Sequence, residues 1–295
     1  MKKVTPNSLH SSGSAARNRI QRVGFLILLG ATLLTVIPIF LIIGVIIVQG
    51  FQTITPEFIF GFPYNGMKSG GIWPAIVGTI YLILGTALFS VPLGIAASIY
   101  LAEYAPDNRI TQIIRIAIIT LAGIPSVVYG LFGLGLFVIA MKFGTSILAG
   151  ALTLAIMNIP VIISTSEEAL RTIPQAFRVT SISLGATKWQ TIRRVILPQA
   201  QPGILTGVVL GLERAAGETA PILFTAAAFY LPRLPESPLD QTMALPYHLY
   251  VISTQVPGMP AGIQYGTALV LLILVLGMNL VATVIRSRVR ARRQW

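Results

Sequence analysis

Five charge-free apolar windows, 23–56, 69–102, 116–141, 143–166 and 241–285, divide the chain. Each exceeds the roughly 20 apolar residues that a helix needs to cross a hydrocarbon core. A sixth window, 203–229, is apolar except for Glu213, Arg214 and Glu218. The pattern predicts an all-α integral membrane protein of six transmembrane helices. Prolines punctuate the windows. Pro92 should bend the second, Pro125-Ser126 interrupts the third just before Tyr129, and the fourth carries Asn158 and Pro160. A proline inside a span frees a carbonyl one turn back, and a nearby hydroxyl or helix can satisfy it. That is the ordinary use for Ser126, Tyr129 and Asn158, with a place on a substrate path as the alternative. Segments 49–70 and 230–262 are rich in Gly, Pro and aromatics and read as ordered turns rather than domains.

Between the fourth and fifth of these windows in chain order lies the longest water-facing stretch, 167–198. Thr172 with Gln175, and Thr187 with Gln190, stand at capping-box spacing. Leu184-Gly185-Ala186 separates the two starts, and glycine is the usual residue just past a helix end because it accepts positive φ. The stretch predicts a short helix, a tight break at Gly185, and a second short helix stopped at Leu197-Pro198.

Composition agrees with the pattern. Hydrophobic residues make up 54% of 295 and charged residues only 10%, against about 25% in soluble domains. The net charge of +12 does not point to nucleic acid, because the charges sit in short runs between long uncharged stretches. Seventeen of the 21 Lys and Arg fall in the N-terminal leader, near Arg109 and Arg115, in 166–200 and in the tail from Arg286. Lys68, Lys142 and Arg233 fall in the alternate segments. This asymmetry predicts that both termini and the hairpin are cytoplasmic. The first apolar run is too long for a signal peptide and no small-residue cleavage site follows it closely, so it reads as an uncleaved span. Residues 1–22 read as a basic cytoplasmic tail, mobile over 1–18, and 23–295 as a single transmembrane domain. There is no cysteine, and the two histidines, His10 and His248, lie far apart. Thiolate, histidine-based and metal chemistry are therefore not expected, nor is a cofactor.

The charges inside 203–229 demand a reason. A charge at the centre of a span costs about 2.5–3.5 kcal/mol on insertion scales. Arg214 lies about 16 Å above Gly203 at 1.5 Å per residue, near the middle of a core about 30 Å thick. Gly203, Gly207, Gly211 and Ala215 form a small-residue stripe suited to close helix contact, with Thr219 next in line. Arg214 and Glu218 sit beside that stripe. One reading is a structural ion pair. The other is a pathway charge, with a planar guanidinium suited to an oxyanion and a carboxylate that holds it in place. Two acids and one base leave an odd charge, and the sequence leaves open whether Glu213 or Glu218 faces Arg214.

The hairpin resembles the cytoplasmic coupling motif of permease subunits of ATP-binding-cassette importers. Gly185 is followed by nine residues and then Val195-Ile196-Leu197-Pro198, as in that motif. Val179-Thr180-Ser181 replace its usual Glu-Ala-Ala. Glu167-Glu168-Ala169-Leu170, Ile124-Pro-Ser-Val-Val-Tyr-Gly130 and Arg214-Ala-Ala-Gly-Glu-Thr-Ala-Pro221 are similar to the phosphate-specific group of these permeases, over roughly 70–285. The resemblance implies the type I importer permease fold and phosphate as substrate, with sulfate or molybdate as alternatives. It implies as partners a second, homologous PstC-like permease, a PstB-like ATPase dimer and an extracytoplasmic PstS-like phosphate-binding protein, besides membrane lipid. The expected substrate-path residues are Arg214, Glu218, Glu213, Thr219 and Asn158. The expected ATPase-coupling residues are Phe177, Arg178, Leu184, Gly185, Ala186, Thr187, Leu197 and Pro198. The chain has no GxxxxGK[ST] phosphate loop, so ATP hydrolysis is expected of a partner. A secondary anion transporter and an intramembrane enzyme are the other classes. The first would need no ATP, and the second lacks a nucleophile or metal set in the spans.

Overall fold

The computed structural model describes residues 12–291. In chain order the elements are α1 (Ser12–Gly50), α2 (Pro56–Phe60), a two-residue antiparallel hairpin β1 (Pro63–Tyr64) and β2 (Ser69–Gly70), then α3 (Trp73–Ile99). There follow α4 (Arg109–Ala122), α5 (Ser126–Gly133), α6 (Ile147–Arg171), α7 (Gln175–Ser183), α8 (Lys188–Thr191), α9 (Leu197–Gly217), α10 (Ala220–Thr225), α11 (Leu245–Thr254) and α12 (Ala261–Ala291). Short π-helical turns extend α3 through Tyr104 and α5 through Ala140, and join α8 to α9.

Five continuous helical stretches are long and apolar enough to cross a membrane: Gln21–Thr53, Trp73–Tyr104, Ile147–Arg171, Lys188–Gly217 and Ala261–Arg288. α4 and the extended α5 are long and apolar enough only together, as one span bent by 97° at Gly123–Pro125, and so counted they bring the number to six. The expected number stands, but several boundaries move. α1 begins at Ser12, inside the expected tail, whose first eleven residues lie outside the described ones. The third span is broken rather than kinked, because Pro125 withholds its N–H and biases Ile124 away from helix. The fifth span begins at Lys188, not 203, and Pro198 does not stop it. The π turn Ile192–Ile196 resets the hydrogen-bond register, so Pro198 falls in a new first turn, where a missing N–H does no harm. The same span ends at Gly217 rather than 229. The last window divides into the separate helix α11 and the spanning α12.

The centre of the fold is α3, α6 and α9 packed side by side. Small residues allow it. A Cβ at Gly203 would strike Ala169, at Gly207 Thr165, and at Gly94 the Ile162 side chain at 2.6 Å. The predicted small-residue stripe of α9 is therefore its contact face with α6. One apolar cluster joins Leu82, Leu154, Met157, Ile222, Leu245 and Val251. A second joins Leu170, Ile173, Ile196, Ala200 and Ile204 beneath α7. By contrast, the Leu, Ile and Phe side chains of α1 are exposed to the surroundings of the chain, as the lipid-facing surface of a span is.

Charged loops gather at one end. Arg115 Nε donates to Glu167 at 2.7 Å and its Nη1 lies 3.5 Å from Asp107, while Arg171 Nε meets the same Glu167 at 2.9 Å. Lys188 lies over the Tyr104 ring, 4.7 Å from its centroid. The Arg109–Arg115 segment and the 166–200 hairpin, grouped by charge in the sequence, are thus neighbours in space.

Candidate functional site

Arg214 stands on the last turn of α9. The helix stops there for a local reason. Gly217 favours an end, and Pro221 cannot supply the N–H that would continue the ladder to the Gly217 carbonyl. Glu218 takes an extended backbone (φ −73°, ψ 133°), and α10 starts with Pro221 in its first turn. Glu218 accepts a hydrogen bond from Arg214 Nε at 3.2 Å. The Arg214 side chain keeps about a third of its surface open (35%). Its terminal guanidinium nitrogens make no hydrogen bond among the described residues. Thr219 is half-buried in the break beside them.

The break brings two distant motifs together. A Cβ at Gly130 would lie 2.9 Å from Pro221 Cα, so the Ile124–Gly130 segment of α5 packs directly on the Ala220-Pro221 end of the Gly-Glu-Thr-Ala-Pro run. Tyr129 donates its hydroxyl to the Leu121 carbonyl at 2.8 Å. That carbonyl lies four residues before Pro125, which cannot bond to it, and it also accepts from Ile124 N–H at 3.1 Å. Of the two readings for Tyr129, this contact is the structural one.

Glu213 points elsewhere. One of its carboxylate oxygens is buried without a hydrogen-bond partner, and the side chain lines a small cavity with Thr206, Asn279, Thr283 and Arg286. The question left open by sequence is thereby answered: Glu218 pairs with Arg214. Asn158 is fully buried in α6 against Gly211, with neither amide atom hydrogen-bonded. It sits within the α6–α9 contact, near the middle of the 25-residue α6. Gly211 is level with it, so Arg214 lies about one turn past the midpoint of α6.

At the hairpin, Gly185 adopts φ +86° and the Thr187–Gln190 capping box is complete. The Thr172–Gln175 box is not formed. Thr172 bonds back to the Ala169 carbonyl at 2.9 Å and closes α6, while α7 starts after Pro174. The proline sets the entry to the helix by its fixed φ. The Ser181 and Thr191 hydroxyls, 2.9 Å apart, tie the two arms. Phe177 (44% exposed) and Leu184 (83%) flank an apolar groove of about 360 Å³ with Ala176, Thr180, Ser181 and Val195. Ala186 is half-buried at the turn, and Leu197 and Pro198 lie half-buried within the continuous rod.

Arg178 turns inward, away from that groove. It donates to Glu103 at 2.6 Å and to the carbonyls of Leu170 and Ile173 at 2.9 and 2.8 Å. Both side chains of the pair are mostly buried. This strut fastens α7 to the ends of α3 and α6. Sequence reasoning missed Glu103, although the carboxylate ending the 69–102 window was a signal that could have found it.

Residues 90–293 match the family described as the binding-protein-dependent transport system inner membrane component. A probable ABC transporter permease protein, YqgI of Bacillus subtilis, is 36% identical over 80% of this chain and 85% of its own. A probable phosphate transport system permease protein PstA of Methanocaldococcus jannaschii is 36% identical over 86% and 89%. PstA 1 of Mycobacterium tuberculosis is 33% identical over 88% and 84%. Among solved structures, a bacterial ABC transporter involved in alginate import superposes with a TM-score of 0.65 over 92% of this chain and 99% of that one. The inward-facing MetNI methionine transporter does so with 0.58 over 74% and 97%. Both are 18% identical and speak to the fold, which is that of an importer permease.

Proposed function

The chain belongs to the family of inner membrane components of binding-protein-dependent transport systems, and from that premise we propose that it is the permease subunit of an ATP-driven importer that carries inorganic phosphate across the cytoplasmic membrane. The names of its relatives PstA favour phosphate. The observation that carries the reading is Arg214: a guanidinium about one turn past the midpoint of α6, held along one edge by Glu218, with its outer donors free. Planar paired donors suit an oxyanion. Glu218 fixes the guanidinium and competes for it, so that a bound anion is released again rather than trapped. Residues 23–295 form one permease domain, and both termini face the cytoplasm.

The groove at Phe177 and Leu184 is where a partner ATPase docks in this reading. Its closure would move α7. The Arg178–Glu103 strut passes that motion to α3 and α6, and the unbroken rod from Lys188 to Gly217 passes it to Arg214. A PstC-like second permease, a PstB-like ATPase pair and a PstS-like binding protein complete the assembly. The test is phosphate uptake by the reconstituted importer. Arg214→Ala should lower uptake at least about a hundredfold, the loss of a charge-assisted contact pair, with assembly intact. Normal uptake in that variant refutes the role of Arg214. Competition by sulfate or molybdate as strong as by phosphate itself refutes the choice of anion.

A further inference from the structure

A polar seam runs along the otherwise apolar α12. Asn279, Thr283, Arg286 and Ser287 recur at helical spacing and share one face. That face meets α9, which supplies Glu213 and Thr206 seven residues apart. Two adjoining spaces lie between the helices. The deeper, about 60 Å³, is lined by Glu213, Asn279, Thr206, Thr283 and Arg286. The wider, about 520 Å³, is lined by Pro202, Gly203, Thr206, Thr283, Arg286 and Ser287. Polar groups inside spans are costly and tend to serve a purpose. Neither the Arg214 site nor the hairpin uses these.

The seam has an acid, Glu213, and a base, Arg286, that line the same small cavity, and the base also lines the wider space at the rim. Arg286 reaches only Thr206 Oγ1, at 3.4 Å, and forms no ion pair among the described residues. The Arg286 guanidinium offers paired donors to a tetrahedral phosphate group and Thr283 adds a hydroxyl, while the Thr206 and Ser287 hydroxyls donate to the Pro202 and Val284 carbonyls at 2.9 Å and exchange those partners for a bound anion. Glu213 below repels an anion, so the cleft is a dead end rather than a second route. The rim lies where α12 passes from apolar sequence into its basic tail, the level of lipid headgroups, and basic pockets between spans at that level take anionic headgroups.

We propose that the cleft between α9 and α12 binds a phosphate group through Arg286, Thr206, Thr283 and Ser287. Its source is either the headgroup of an anionic phospholipid or inorganic phosphate. The site stands on its own geometry; only its assignment to the cytoplasmic side rests on the transport reading. The assembled importer is placed in nanodiscs with or without phosphatidylglycerol, and retained lipid is read by native mass spectrometry. Binding of radiolabelled inorganic phosphate is measured separately in an Arg214→Ala background, which keeps the proposed transport site out of the result. Arg286→Gln should lower occupancy about tenfold in one of the two arms, and Thr206→Val should lower it in the same arm with the charge retained. Loss in the lipid arm identifies a headgroup, and loss in the other arm the free ion. Arg288→Gln, a neighbouring arginine outside the cleft, should change neither. No change with Arg286→Gln, or an equal change with Arg288→Gln, overturns the proposal in favour of diffuse attraction to the basic tail.

Discussion

At the scale of single residues, the charges of the fifth span divide their work by direction. Arg214 and Glu218 face each other at the helix break, while Glu213 looks toward α12. Arg178, on the surface helix, is used inward. Glu103→Gln leaves that guanidinium buried beside a neutral amide. Breaking a buried pair costs about 3–5 kcal/mol. The expected results are a lower melting temperature of the assembled importer and faster proteolysis in the hairpin. An unchanged melt would mean that the two carbonyl contacts suffice. His248 on α11, outside the spans, gives a pH dependence. Burial lowers its pKa from 6.5 to about 4, and its Nδ1 has no partner. The unfolded chain takes up a proton below about pH 6.5 that the native imidazole refuses down to about 4, so stability is full above that window and falls as pH drops through it. His248→Gln should flatten the fall in melting temperature between neutral and acidic pH; a slope equal to the wild type's would assign it to other groups.

At the scale of elements, two glycines show different constraints. At Gly185 a side chain would meet nothing within 4 Å, and only its φ of +86° is demanding. Gly185→Asn, which tolerates that region, should keep uptake, whereas Gly185→Val should lose it with assembly retained. Equal activity in the two variants would show that the turn need not be rigid. At Gly207 the constraint is space, because Thr165 occupies the place of a side chain. Gly207→Leu should separate α9 from α6 and abolish assembly, while Gly277→Ala on α12, in open surroundings, should not. The hairpin was legible in the sequence because capping and positive φ act over a few residues. The end of the second arm was not. Pro198 reads as a stop when only its missing N–H is considered, and the preceding π turn, which makes it harmless, has no signature as local as a proline.

At the scale of the molecule, one apolar face of α5 is left exposed. Arg214 is partly open, and Val127, Val128, Leu131 and Phe132 are exposed on α5, the helix that packs on Ala220-Pro221. In the proposed assembly, a second permease subunit closes over this face and completes the proposed anion site. The chain lacks cysteine, which makes the test clean. In detergent, Phe132→Cys should react with a maleimide in the isolated chain and be protected in the assembled importer. Leu34→Cys on the exposed α1 serves as the reference. Equal labelling of Phe132→Cys in both states would place the partner elsewhere.

The sequence by itself determined the class, the number of crossings, the small-residue contact face of α9 and the break at Gly185. Each of these follows from hydropathy, side-chain size or backbone sterics within one stretch of chain. Only the tertiary structure decided which acid pairs with Arg214, that Tyr129 donates to the Leu121 carbonyl, that Arg178 reaches back to Glu103, and that α12 carries a polar seam facing Glu213. Those outcomes depend on where side chains from separate helices point once the helices are packed, and spacing along a single chain holds no record of that.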